Sequence, residues 1–333
     1  MRKNSAHSAV NKQKREMNIS EISHRLNQLQ FNSDVINAYA EPHRFYHTLE
    51  HIEQMLKYLH DENLLIHDEL FLATVFHDII YNPQSNTNEE DSANYFMEAA
   101  KTSSLTHDQK EHIKQLIVDT KTHEPTVTFS EEFIKADLFI LSSSFDKLIA
   151  YEKQIFKEYQ FVDYSVYKAK RMDVLKHYNK INHLDHLINY VNSVEPNIAV
   201  FAGSFNPFHK GHYNVLQKAE KLFDKVIVAF GKNPDKTERT WDVPKTISNR
   251  QLGEYTGLLT DYIDSLGYEV TVVRGLRNST DFQYEQNQYR YIQELKPDIK
   301  IVNIFCDKEF EHISSSGIRT LEKYNKHQGY LLK

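Results

Sequence analysis

Apolar residues recur along this chain in two rhythms, and one gives way to the other near residue 196. Leu49, Ile52, Leu56 and Leu59 fall three or four apart, which lines one face of a helix. Residues 69–81 are apolar nearly all round and predict a second, buried helix, and residues 133–141 form another apolar stretch. Beyond 196 the apolar residues come instead as short runs rich in β-branched side chains. Residues 198–202 end at Gly203, residues 225–230 end at Gly231, residues 269–273 lead into Arg274-Gly275, and residues 301–306 lead into a charged loop. Such runs predict buried strands. After the first and the last of them, His209-Lys-Gly-His212 and Ile313-Ser-Ser-Ser-Gly-Ile-Arg319 read as places where a helix opens.

Glycine sharpens the division. All nine glycines lie at or after Gly203, and the 202 residues before it have none. That is hard to reconcile with a turn-rich sheet and easy for a helical bundle. Charge divides too, with a net of −8 over residues 1–195 and +2 over the remainder. The expected architecture is therefore two domains: an all-α helical bundle over 18–195, then an α/β parallel-sheet domain over 197–333, with the boundary near Pro196. Residues 1–17 carry Arg2, Lys3, Lys12, Lys14 and Arg15 without an apolar core, so a disordered basic tail is expected, and Met17 offers an alternative start.

The chemistry of the second half gathers at predicted strand ends. Ser204 and the loop after it leave the first strand, and His209 and His212 then share a face beside the unpaired N–H groups of a helix start, where both rings can donate to a phosphate. Gly211 lets the chain approach closely. Arg274 and Arg277 place two guanidiniums at another strand's carboxyl edge, Ser314, Ser315 and Ser316 cap a helix that carries Arg319, and Lys236 can reach the same crevice. A His-x-Gly-His by itself is as often an ordinary loop.

Fourteen of the eighteen histidines lie in the glycine-free half. Tyr46-His47-Thr-Leu-Glu-His51 puts two imidazoles at i and i+4 on a predicted helix, bordering its apolar stripe. His77-Asp78 sits between Val75, Phe76, Ile79 and Ile80, and Asp137 sits inside the apolar stretch 133–141. A carboxylate isolated in such a place costs several kcal/mol unless a cation offsets it. One bound metal serves both acids. Glu89, His112 and His123 also have ligand chemistry, and a solvated helix face accounts for them more simply.

Taken together, these segments resemble known families. Residues 198–325, with the His-x-Gly-His motif, Asn233-Pro-Asp-Lys236, Glu254-Tyr-Thr-Gly-Leu-Leu-Thr-Asp-Tyr262, the run from Arg274 to Glu285 and Ile313 to Arg319, resemble the His-x-Gly-His nucleotidyltransferases, most closely the phosphopantetheine adenylyltransferases. The resemblance implies a Rossmann-like fold and adenylyl transfer from ATP with Mg²⁺. By it His212 stabilises the α-phosphate in the transition state beside His209, while Ser204 and Lys236 position the acceptor phosphate. Phe205, Arg274, Gly275, Arg277, Glu285, Ser314, Ser315, Ser316 and Arg319 complete the substrate and ATP site. The wording Gly-Ser-Phe-Asn-Pro-Phe-His is closer to nicotinate or nicotinamide mononucleotide adenylyltransferases, since pantetheine enzymes usually have Asp at the position of Asn206 and Thr at that of His209. Cytidylyl transfer is a third, less favoured reading.

Residues 18–195 resemble the HD-domain metal-dependent phosphohydrolases through Tyr-His-x3-His, Phe-His-Asp-Ile-Ile-Tyr and Asn88-Glu-Glu-Asp-Ser-Ala93. That likeness implies that His51, His77, Asp78 and Asp137 bind a divalent metal such as Mn²⁺, Fe²⁺, Co²⁺ or Zn²⁺, with His47 as proton donor to the leaving oxygen. A metal-bound nucleotide sensor without hydrolysis is the alternative. Homo-oligomers are expected from the transferase likeness. The rest of the composition is ordinary for a soluble protein, 40% hydrophobic and 26% charged. A single cysteine, Cys306, excludes an internal disulfide and fits a cytoplasmic setting. No membrane span is expected, and neither a basic stripe nor the net charge of −6 favours nucleic acid.

Overall fold

The computed structural model describes residues 17–232 and 242–332. Most of the expected basic tail and the segment holding Lys236 and Trp241 lie outside the described residues. The chain forms two compact units, one ending at Ile155 and the other beginning at Phe156.

The first unit is helical. Helices α1 (Ile19–Gln28), α2 (Leu49–Asp61), α3 (Asp68–Phe76), α4 (Asn88–Ala99), α5 (His107–Asp119), α6 (Ser130–Asp137) and the greater part of α7 (Phe145–Glu158) follow in order. The predicted stripe on α2 is buried at Ile52, Leu56 and Leu59, together with Met55 and His51. Helix α3 buries every residue from Leu70 to Phe76, and its Phe76 ring meets those of Phe31 and Phe96 in tilted and edge-on contacts, the three rings 5.4–5.9 Å apart.

Two expectations about this unit are corrected. Helix α3 stops at Phe76 and does not reach Tyr81. The His77 ring donates from Nδ1 to the carbonyl of Thr74 at 2.9 Å, and side chains from residues 43–44 take the carbonyls of Asp78, Ile79 and Tyr81 that a continued helix would have used. His47 and His51 also do not share a helical face, because α2 begins only after Thr48, whose backbone is extended at φ −110° and ψ 178°.

The second unit contains α8 (Tyr164–Asn182), α9 (Asp185–Ser193), β1 (Ile198–Gly203), α10 (Lys210–Ala219), β2 (Lys225–Lys232), β3 (Leu252–Thr256), α11 (Leu259–Ser265), β4 (Thr271–Leu276), α12 (Ser279–Leu295), β5 (Lys300–Phe305) and α13 (Ser315–Glu322). The five strands are parallel in the order β3-β2-β1-β4-β5. Val200 pairs with Ile227 on one side and Val272 on the other. The strand order reverses between β1 and β4, the place where open parallel sheets leave a crevice at their carboxyl ends. Strand β3 is not legible from apolar pattern, because as an edge strand it alternates exposed and half-buried residues around Gly253. Strand β4 runs on to Leu276, so Arg274 and Gly275 lie within the strand, not after it.

Packing also ties residues that precede Pro196 to the sheet. Lys225, at the start of β2, is buried, and its ammonium donates to the carbonyls of Gln160 and, at 2.8 Å, Val162. The amide of Gln251 donates to the same Gln160 carbonyl at 3.0 Å. Asp163 accepts from the Tyr268 hydroxyl at 2.7 Å and from Gln251 at 3.2 Å. These bonds fasten the residues before α8 to the amino end of the sheet. Cutting them leaves polar groups unpaired, each costing about 1–3 kcal/mol. A fragment of residues 156–333 is therefore expected to unfold at a clearly higher urea concentration than a fragment of residues 197–333. Equal midpoints in urea titrations followed by circular dichroism would show that α8 and α9 are a mere appendage.

Candidate functional site

In the sheet unit the site grows from the end of β1. Gly203 is needed because the Phe205 ring folds back over it: a Cβ there lies 2.8 Å from that ring. Phe205 itself has φ +44°, a left-handed conformation that costs a non-glycine residue roughly 1–3 kcal/mol. Rings of Phe201, Phe208, His212 and Phe230, all within 5.4 Å centroid to centroid, hold it there. Phe205 is thus core, while Ser204 stands exposed in the turn. The Asn206-Pro207 peptide is cis.

The two histidines cap α10 reciprocally. His209 is the N-cap, and its Nδ1 accepts from the His212 amide at 3.3 Å, while His212 Nδ1 accepts from the His209 amide at 3.3 Å. The rings stack at 3.6 Å and 19°, and a Cβ at Gly211 lies only 3.1 Å from the His209 ring, so glycine is what leaves room for the stack. Burial holds the His209 imidazole down at about 4, helped by the Arg277 charge. Burial, His209 and Arg277 keep His212 well below the usual histidine range. Both rings are therefore neutral at pH 7. With each Nδ1 used as an acceptor, the ring proton resides on Nε2, which makes each Nε2–H a donor.

The other motifs arrive at the same turn. Ser315 Oγ donates to the Pro207 carbonyl at 3.0 Å and Arg319 Nη1 to the Asn206 carbonyl at 2.5 Å. Ser314 is the N-cap of α13, accepting from Gly317, and its hydroxyl lies 3.3 Å from that of Ser316. Gly275 brings β4 close under α10, since a Cβ there lies 3.3 Å from Val215.

The arginines are more occupied than sequence reasoning expects. Arg274 gives Nε and Nη2 to Glu285 at 2.7 Å each, and Nη1 to the Ala202 carbonyl at 2.9 Å. Arg277 pairs with both oxygens of Asp281 at 2.8 Å. Both carboxylates come from α12, one or two turns along, a spacing with no obvious signal in an otherwise polar helix.

In the helical unit the expected acids and imidazoles do converge. His51 Nε2, His77 Nε2 and an Asp78 carboxylate oxygen all lie within 4.8 Å of one another. Asp137 Oδ1 is 3.1 Å from His51 Nε2 and 3.7 Å from His77 Nε2. His77 Nε2 is buried and has no hydrogen-bond partner among the described residues, although Asp78 Oδ2 stands 3.0 Å away. An orphaned imidazole nitrogen beside two half-buried carboxylates has the ligand chemistry that could hold a divalent transition metal. Burial alone depresses a histidine, but the Asp78 and Asp137 charges override it and lift His77 to about 9. Burial likewise works against ionisation of Asp78 and Asp137, yet the surrounding imidazoles hold both well below the usual carboxylate range. His47 stacks on Tyr81 at 4.2 Å, with its ring 6.1 Å from that of His51.

His123, read from sequence as a solvated position, belongs to the cluster. Its Nε2 is 3.2 Å from Asp137 Oδ2. It sits in a loop at φ +55°, where helical periodicity gives no warning. Buried Asp119 ties that loop, accepting from Gln115, Thr126 and Ser130 at 2.6–3.0 Å. His112 instead bonds the Thr128 carbonyl and lies 3.5 Å from Glu69. Burial and the Asp78 charge raise Glu89, which does not belong to the group formed by His51, His77 and Asp78.

Comparison with known proteins bears on the sheet unit. The cytidylyltransferase-like family model matches residues 200–321. A phosphopantetheine adenylyltransferase of Mycoplasma capricolum subsp. capricolum is 38% identical over 138 residues, 39% of this chain and 99% of that protein. Those of Cytophaga hutchinsonii and Mycoplasma mycoides subsp. mycoides are each 36% identical over 137 residues, 38% of this chain, and 91% and 98% of their own lengths. A relative matched over essentially its whole length is more than a shared motif, and through this part the chain belongs to the phosphopantetheine adenylyltransferase family.

Proposed function

We propose that the chain is a bifunctional cytoplasmic enzyme. Its sheet unit transfers the adenylyl group of ATP to 4′-phosphopantetheine, giving dephospho-CoA and pyrophosphate, and its helical unit hydrolyses a phosphate ester with a divalent metal. The observation that carries the first activity is the pair of neutral imidazoles whose Nε2–H donors stand at the carboxyl end of β1. An oxygen of the acceptor phosphate attacks the α-phosphorus of ATP and the bond to the pyrophosphate oxygen breaks. No protein nucleophile is needed. His212 donates to an α-phosphate oxygen as charge builds there, His209 fixes the orientation of that ring, and the α10 amides add their dipoles. Mg²⁺ on the triphosphate supplies charge neutralisation when bound. The relatives named above favour pantetheine over a mononucleotide acceptor. The expected homo-oligomer is part of this reading.

The second activity rests on the convergence of His51, His77, Asp78 and Asp137, which supports an HD-type phosphohydrolase. These residues hold the metal, which when bound acidifies a water and polarises the phosphoryl group. His47 stands beside them as proton donor to the leaving oxygen.

Three outcomes are expected. Pyrophosphate release from ATP should depend on 4′-phosphopantetheine, and His212→Ala should lower it by roughly 10²–10³-fold, the loss typical of one transition-state donor. Release driven equally by nicotinamide mononucleotide, or by CTP in place of ATP, contradicts the assignment. In a proton–carbon NMR titration the His209 ring should stay neutral through pH 6.5 and protonate near pH 4. Because the unfolded ring takes up its proton at about 6.5, stability present above that pH should be lost progressively as pH falls toward 4. Finally, full-length protein should bind Mn²⁺ and hydrolyse a chromogenic phosphodiester, and Asp78→Ala should abolish both. Equal slow turnover by wild type and variant would instead indicate a sensor.

A further inference from the structure

Resting on the metal reading of the helical unit, we propose that Arg44 is a positioning residue that locks the turn carrying His47 to the turn carrying His77 and Asp78. Arg44 is buried, with no exposed side-chain surface. Its Nη1 donates to the carbonyls of His47 at 3.2 Å and Asp78 at 2.7 Å, its Nη2 to the carbonyl of Ile79 at 3.1 Å, and its Nε to Glu41 at 2.9 Å. One rigid, planar group thus grips main-chain oxygens more than thirty residues apart in sequence.

The need for it comes from how α3 ends. Helix termination at Phe76 leaves carbonyls without helical partners in a dry environment. Residues 39–44 supply the donors: Tyr39 hydroxyl to Val75 at 2.8 Å, His43 to Tyr81 at 2.8 Å, and Arg44 to Asp78 and Ile79. Of these three side chains, Arg44 is the one that also reaches forward to His47. The guanidinium lies 5.1 Å from the Tyr39 ring centroid and 5.3 Å from that of Tyr81, whose ring stacks on His47. Glu41 pairs with the guanidinium at Nε, leaving Nη1 and Nη2 to meet the main-chain carbonyls. A lysine has neither the planar fork nor the span to meet three carbonyls and a carboxylate together.

The test uses full-length protein and Arg44→Lys, with Arg44→Gln as the stronger variant. Mn²⁺ affinity is measured by calorimetry on metal-free protein, and kcat, KM and the pH–rate profile on a chromogenic phosphodiester. Supporting residues of metal sites commonly carry about 10–100-fold in affinity or activity. Arg44→Lys is expected to lose on that order in Mn²⁺ affinity and kcat, with KM changed by less than about threefold on the same scale and the limb of the pH profile due to proton donation displaced. Wild-type affinity, kcat and pH profile in Arg44→Lys, with only a lower melting temperature, overturn the proposal and make Arg44 a purely structural residue. That result is read from Arg44→Lys and does not need Arg44→Gln to fold. If wild type itself neither binds Mn²⁺ nor depends on Asp78, the metal reading falls and the proposal with it, a failure visible before any Arg44 variant is made.

Discussion

A polar atom taken out of water must find a partner, and that constraint decides where this chain turns. Helix α3 stops where the His77 ring, His43 and Arg44 claim the carbonyls that a longer helix would have used. Lys225, buried at the amino end of β2, settles on the carbonyls of Gln160 and Val162 and thereby draws α8 and α9 into the sheet unit. Helix α10 begins where two imidazoles satisfy two amides. In each place an unmet polar group costs more than the local backbone preference it overrides.

The same constraint separates what is legible in the sequence from what is not. Strands β1, β2 and β4 announce themselves as apolar runs because a central parallel strand has no wet face, and β5, at the other edge, keeps an apolar run although it is partly exposed. Edge strand β3 has a wet face, and it leaves no trace. The convergence of His51, His77, Asp78 and Asp137 is readable because an acid embedded among apolar neighbours has to be met by a cation or by donors brought to it. His123 is not readable, since loop residues follow no period, and its place depends on Asp119 gathering a turn through four side-chain and backbone donors. Arg274 and Arg277 show the opposite error. Their placement at the sheet edge follows from the strand pattern, and their pairing with Glu285 and Asp281 does not, because α12 gives no hint of which face meets the sheet.

The two units arrange charge at their candidate sites by different physical means. The helical unit gathers two half-buried carboxylates and the imidazoles of His51, His77 and His123 in a small volume. In the sheet unit, the arginines at the sheet edge are balanced internally by carboxylates from α12, and the histidines at the turn are neutral.

In the proposed adenylyl transfer, the neutrality of the stacked rings governs how a polyphosphate is caught and let go. A dipole's pull fades with distance faster than that of a full charge, so Nε2–H groups act at contact and draw little from afar. At these two side chains, capture is a matter of fit, and the spent anion departs without a fixed positive charge to hold it back.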